Sequence, residues 1–384
     1  DADALGVKAN NRKYYAQGIQ TKLDYHWYKG DAFHDLEIGF RAHYDEEDRF
    51  QWVDKYRMSS NNSMDLTTAG VPGTDANRIA SATAFASYLT YKLKYNNWTF
   101  TPGVRYENIN LKREDFGKND VKRTGVDVAL RENSVAIFIP GMGTNYKFHN
   151  DFSLFGGVHK GFSPPGNQNG QEPEESINYE FGTRFNLGKL KGEVVGFFND
   201  YSNLLGSDLA ATGGTGSLEL FNAGEVNVNG IEVLLNYNIA SENSKIAIPV
   251  SFGYTFTNSA FQNSFGSADG LWGTVTKGDE MPYLPRHQLN TRISLEHKDF
   301  EINLNGRYNG EFRTLAGTGT IANSEKVAAN FIVDLSAKYF VNKQLNITAN
   351  VINLLNNTYA VSRVPAGLRP GHPFGIYGGL EFRF

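Results

Sequence analysis

Apolar and polar side chains alternate one for one along most of this chain. From Ile19 to Trp27, Ile19, Thr21, Leu23, Tyr25 and Trp27 fall on one side, and Gln20, Lys22, Asp24 and His26 on the other. Leu36, Ile38, Phe40, Ala42 and Tyr44 repeat the pattern against Asp35, Glu37, Gly39, Arg41 and His43, and Phe300–Tyr308 does so again. Near the end, Val333, Leu335, Ala337 and Tyr339 alternate with Asp334, Ser336 and Lys338. Successive side chains of a strand point to opposite faces, so each run is a strand with one greasy and one wet side. The pattern predicts about fifteen strands, at 13–29, 31–50, 77–95, 98–113, 132–148, 151–161, 176–186, 190–204, 218–239, 246–260, 284–297, 299–314, 328–341, 344–355 and 373–384.

Connections alternate in length. Tight ones fall at Lys29–Asp31, Tyr95–Trp98, Phe148–Asp151, Leu187–Leu190, Glu296–Phe300 and Val341–Gln344; long ones fall near 51–76, 114–131, 162–175, 205–217, 261–283, 315–327 and 356–372. Short turns on one side and long loops on the other are the mark of an outer-membrane barrel. A soluble all-β protein also alternates. Its strands, however, average about five or six residues, and its core does not tolerate a face this charged. Many strands here exceed the about ten residues that cross a bilayer at a tilt. Aromatics such as Trp27, Tyr28, Trp98 and Phe100 flank the tight turns, where an interfacial girdle belongs. The expected fold class is an all-β, antiparallel transmembrane β-barrel.

Composition changes this picture little. The 384 residues include 40 Gly, 27 Phe, 20 Tyr and no Cys, and carry a net charge of −4. Mean hydropathy is −0.43, and no run approaches the roughly 18 apolar residues of a membrane helix. The near balance of charge argues against nucleic acid as a partner. The lack of Cys removes disulfides, thiolate metal sites and cysteine nucleophiles. The last residue, Phe384, shares the apolar face of its strand with Phe382, Leu380 and Ile376. A terminal Phe on such a strand resembles the signal read by the barrel-assembly machinery. That reading puts the C-terminus and the tight turns in the periplasm and the long loops outside.

Four segments resemble the barrel half of TonB-dependent outer-membrane receptors. They are Pro173-Glu174-Glu175-Ser176-Ile177-Asn178-Tyr179-Glu180-Phe181-Gly182-Thr183-Arg184; Asn222 with Val228-Asn229-Gly230-Ile231-Glu232; Leu284-Pro285-Arg286-His287-Gln288; and Phe331–Tyr359 with Asp334, Ser336, Tyr339 and Val351–Tyr359. Asn97–Glu107 looks closest to the ferric-citrate-type siderophore receptors. The resemblance implies a plugged barrel of about 22 strands, a contact with the TonB complex through an N-terminal box, and uptake of an iron chelate. The whole chain, 1–384, then reads as one domain, the C-terminal part of such a barrel, with the plug and roughly seven strands lying outside it. An odd strand count supports this, since single-chain bacterial barrels close with even numbers. Glu180, Arg184, Glu232 and Asp334 sit on the wet face and are expected to pair across strands. Asn353–Asn357 reads as strand exit and turn, where Asn tolerates left-handed backbone.

No catalytic set emerges. The eight histidines lack metal-ligand spacing. Asp1–Asp3 and Asp45–Asp48 read as solvated carboxylates, and the Gly-rich stretches lie outside any strand-to-helix setting. We therefore expect no enzyme, no cofactor and no bound metal. The ligand-binding candidates lie toward the outer loops: Arg313, Arg363, Arg369 and His372, with His159, Lys160 and Arg286. Guanidinium forks suit carboxylate- or phosphate-bearing anions, so a citrate-like ferric chelate fits. Pairing with lipopolysaccharide, or with nearby Asp and Glu, accounts for the same residues equally well. Gln168 and Gln171, in the Phe162–Ser176 loop, suit lid-like contacts. A channel for another solute, such as cobalamin, a glycan or a metal–peptide, is the alternative function.

Overall fold

The structure, a computed structural model, describes residues 5–126, 128–207, 220–222, 224–241, 243–266, 274–363 and 367–383. Fifteen main strands carry it. They are β1 (Arg12–Lys29), β2 (Ala32–Met58), β3 (Ala76–Tyr95), β4 (Trp98–Asp115), β5 (Ala129–His149), β6 (Phe152–Ser163), β7 (Glu174–Leu187), β8 (Leu190–Ser202), β9 (Val226–Asn238), β10 (Pro249–Phe261), β11 (His287–His297), β12 (Phe300–Asn309), β13 (Asn330–Phe340), β14 (Leu345–Ile352) and β15 (Gly375–Phe382). Each pairs antiparallel with the next in sequence. Among the described residues no pairing joins β1 to β15, so the sheet has two open edges.

The register sorts side chains into two faces. Val250, Ile293, Leu304, Leu335, Val351 and Ile376 stand opposite one another across six strands. One residue along, Ser294, Asn303, Ser336, Asn350 and Tyr377 form the matching row on the other face. Exposure runs opposite to that of a soluble protein: Ile293 and Ile376 are 43% and 67% exposed, whereas Ser294 and Asn303 are 2% and 8%. The polar face is therefore the crowded, concave one, and the apolar face is the convex one. Only a lipid surround makes that arrangement favourable, because a convex apolar face in water would forgo about 25 cal/mol for each Å² left uncovered. The concave face is the lumen. Lys22, Glu37 and Tyr88 bond across β1–β3 there, and Arg292 does so with Asn303 and Glu301. Glu180, Arg184, Glu232 and Asp334 share that face.

The short connections are two residues long at 30–31, 96–97, 150–151, 188–189 and 298–299. Gly30 (φ 58°), Asn96 (φ 50°) and Gly188 (φ 65°) supply the left-handed residue that such turns need. Two turns on this side are longer, 341–344 and 239–248. On the other side, β2 runs on to Met58, eight residues past the expected end of that strand. Its extension pairs with Leu5–Ala9 on one edge and Met64–Thr68 on the other, so much of the expected 51–76 loop is sheet. Alternation is lost over 52–58 because both faces of this projection meet solvent, and burial no longer selects one face. The expected strand 218–239 begins instead at Val226; Leu220–Asn222 pairs with Leu205–Ser207 in a separate hairpin, with Gly224 (φ 82°) between the two segments.

Candidate ligand-binding site

At the loop end of the lumen, the first five strands bring arginines into adjacent rows. The tight turn between β1 and β2 sets Arg12 opposite Arg49, and β2 sets Arg49 opposite Arg78. Arg78 faces Asp115, and two residues along, Arg113 faces Arg131. Glu47 accepts from Arg49 Nε at 3.0 Å and from the Tyr14 hydroxyl at 3.1 Å, with Arg12 3.6 Å away. Asp115 accepts from Arg113 at 2.7 Å. Arg49 and Arg113 are only 3% and 7% exposed. The pKa of Arg78 is pushed down to about 10, first by burial and then by the charges of Arg113 and Arg49. Like charges directly opposite one another in a sheet are destabilising, and Glu47 and Asp115 offset part of that repulsion.

The sequence-derived candidates are dispersed. His159, on β6, faces the lumen opposite Gly141 and Asn178. It borders a hollow of about 740 Å³ whose floor is Gly103, Gly141, Gly143 and Gly157 and whose rim includes Arg105, Glu180 and Arg184. A Cβ added at Gly143 would meet nothing within 4 Å, so the wall itself does not require that glycine. Lys160, the next residue, points to the outer face and pairs with Glu175 at 2.8 Å, which separates it from His159. Gln168 and Gln171 lie in the β6–β7 loop, which Asn133 ties down through the Gly166 and Gln171 carbonyls, both at 2.9 Å.

Arg313 and Arg286 do come together, on Glu280. Arg313 is 5% exposed and donates to Glu280 at 3.2 Å and to the Gly319 carbonyl at 3.1 Å; Arg286 donates to the other Glu280 oxygen. They join the 262–286 and 310–329 loops, beside a small core of Leu204, Val226, Val228, Phe261 and Val275 on the lumen side. Arg363 donates to the Lys326 carbonyl at 3.1 Å. Arg369 lies in a hairpin with Ser362. His372 is 2.6 Å from the Pro373 carbonyl and 3.3 Å from the Tyr377 hydroxyl. Phe384 lies outside the described residues. Among these residues no group of three or more His, Asp or Glu is placed to hold a metal ion.

Residues 3–354 match the family described as TonB dependent receptor-like, beta-barrel. The chain belongs to this family. TonB-dependent receptors lie in the Gram-negative outer membrane, so the apolar belt faces its lipid, and the family consists of receptors and transporters rather than enzymes. Among curated relatives, the pesticin receptor of Yersinia enterocolitica is 20% identical over 349 residues, 85% of this chain and 47% of that protein. Among solved structures, the ferric citrate transporter FecA superposes with a TM-score of 0.72 at 17% identity, covering 98% of this chain and 55% of that one. The ferric-catecholate import receptor Fiu of E. coli K12 gives 0.74 at 18%, with coverage of 98% and 55%. The chain thus spans about half the length of these proteins, and what the structures share with it is the fold.

Proposed function

We propose that this chain is the membrane wall of an outer-membrane receptor that takes up an anionic iron chelate, ferric citrate or a siderophore, with energy coupled through TonB. The observation that carries this reading is the arginine group Arg12, Arg49, Arg78, Arg113 and Arg131 on the lumen face. A carboxylate-rich chelate accepts paired N–H bonds from guanidinium. In this reading the protein binds and passes its ligand without making or breaking a bond, so it is no enzyme and needs no cofactor. His159, Gln168 and Gln171 add contacts deeper in the lumen and from the adjoining loop. Arg286 and Arg313 act by fixing the outer loops, and Arg363, Arg369 and His372 belong to the same loop side. The TonB complex, the barrel-assembly machinery (reading Phe384) and outer-membrane lipopolysaccharide are the proposed partners.

The test is uptake by the full-length receptor in cells supplied with one iron source at a time. Anionic ferric chelates should support TonB-dependent growth. Growth on none of them, with uptake of cobalamin, a glycan or a metal–peptide instead, would replace this reading with the channel alternative.

A further inference from the structure

The reverse side of the wall that bears the arginine group carries one more arginine. On β2, Asp48 and Phe50 flank Arg49, and on β3, Asn77 precedes Arg78, so these three lie on the face opposite the group. Arg123, in the β4–β5 loop, reaches them together. Its two Nη atoms donate to the Asp48 carboxylate at 3.0 and 2.5 Å, and its Nε donates to Asn77 Oδ1 at 2.8 Å. The guanidinium also lies 4.8 Å from the centre of the Phe50 ring and 5.3 Å from that of Phe116. Asn77 is 2% exposed and donates to the carbonyls of Gly117 at 3.2 Å and Asp120 at 2.8 Å, which fixes the loop that carries Arg123. In the β2–β3 register, Arg49 stands opposite Arg78 and the next residue, Phe50, opposite Asn77. One guanidinium therefore ties β2 to β3 directly behind the place where two others repel across them.

We propose that Arg123 is a positioning residue for chelate binding, a clamp that holds Arg49 and Arg78 in register from behind. The inference rests on the reading of the lumen arginines as the chelate site. Separation of β2 from β3 is the movement that relieves the repulsion between Arg49 and Arg78. The clamp resists it, because it bridges a carboxylate on one strand and a buried amide on the other. Its charge is matched by Asp48, and it faces away from the lumen, so it acts through Arg49 and Arg78 without touching the ligand. A flat fork set against two rings is a geometry that lysine does not reproduce.

The test is equilibrium binding of ferric citrate and of an anionic siderophore to the full-length receptor, at low and high salt. The variants are Arg123→Gln, Asp48→Asn, the two combined, and Arg78→Gln, with migration of the unboiled protein on a gel confirming that each folds. Arg123→Gln and Asp48→Asn should each weaken binding about tenfold, as losing one charge-assisted hydrogen bond to the ligand would do. The combined variant should bind no more weakly than either, because both changes remove the same clamp. It leaves no unmatched charge, so its binding should keep the parent's salt dependence, whereas Arg78→Gln should reduce that dependence. Arg123→Lys, which keeps the charge and loses the fork, is the milder variant and should weaken binding in the same sense. Folded variants that bind like the parent would make the clamp merely structural. A reduced salt dependence in the combined variant would make Arg123 a ligand contact, and either result overturns the proposal. Chelate binding indifferent to both Arg78→Gln and salt would instead remove the reading of the lumen arginines, and the proposal with it.

Discussion

At the scale of single residues, two kinds of polar side chain separate cleanly. Asn353 is fully buried and left-handed (φ 52°). Its backbone N–H donates to Asp334 at 2.8 Å, and its side chain donates to the carbonyls of Asn357 and His372 and accepts from the Asn357 N–H. One side chain thereby closes the exit of β14 onto β13, which accounts for the Asp334 and Asn353–Asn357 spacing in structural terms. Asn353→Ala should destabilise the barrel by about 2–3 kcal/mol, since it strands buried polar groups and strains the backbone. A denaturant midpoint indistinguishable from that of the parent would contradict this. Arg78 is the opposite case: burial and the charges of Arg113 and Arg49 outweigh the support of Glu47 and Asp115. Its folded pKa, about 10, lies below its ordinary value. The fold therefore disfavours the charged form at every pH below about 10, and the penalty lifts only as pH rises through that value. Arg78→Gln should raise the melting midpoint at neutral pH while weakening chelate binding. A variant that loses both stability and binding would show Arg78 to be a structural residue.

At the scale of elements, the strands were legible and the loops were not. Period-two burial marks a strand wherever one face meets lipid, and each main strand overlaps a predicted one. Residues 52–58 escaped because neither of their faces is selected by burial. The arginine group escaped for another reason: register across a long loop cannot be counted from one sequence. Part of it was within reach, since counting back from the tight turn at Gly30 and Asp31 puts Arg12 opposite Arg49. Lys160 and its neighbour His159 cannot share a site, because consecutive strand residues point to opposite faces.

The loops carry their own predictions. Asp120 accepts from the Thr124 and Gly125 N–H groups at 2.9 and 2.8 Å, which lowers its pKa. A lowered carboxylate stabilises its loop above the unfolded pKa of about 3.9 and releases it as pH falls through the lower folded value. Asp120→Ala should remove that protection at neutral pH, read as faster proteolytic nicking within 116–128. Glu280→Ala should loosen the 262–286 and 310–329 loops together, because Arg313 is left buried without its carboxylate. Nicking confined to one of those loops would show that they are not joined through Glu280.

At the scale of the whole molecule, the fold is a wall with its polarity inverted. Averaging the two faces gives the negative mean hydropathy and hides the membrane signal, while the register restores it. The same inversion keeps two kinds of chemistry apart, with guanidinium on the concave side and hydroxyl, amide, carboxylate and ammonium groups above the belt on the convex side. Chelate recognition belongs to the concave side. Its most direct test is equilibrium binding of ferric citrate and of an anionic siderophore to the full-length receptor and to its Arg78→Gln/Arg131→Gln variant, at low and high salt. Arginine recognition predicts binding of at least one chelate that weakens about tenfold or more in the variant and falls as salt is raised. Binding of either chelate that is indifferent both to the two substitutions and to salt would contradict it.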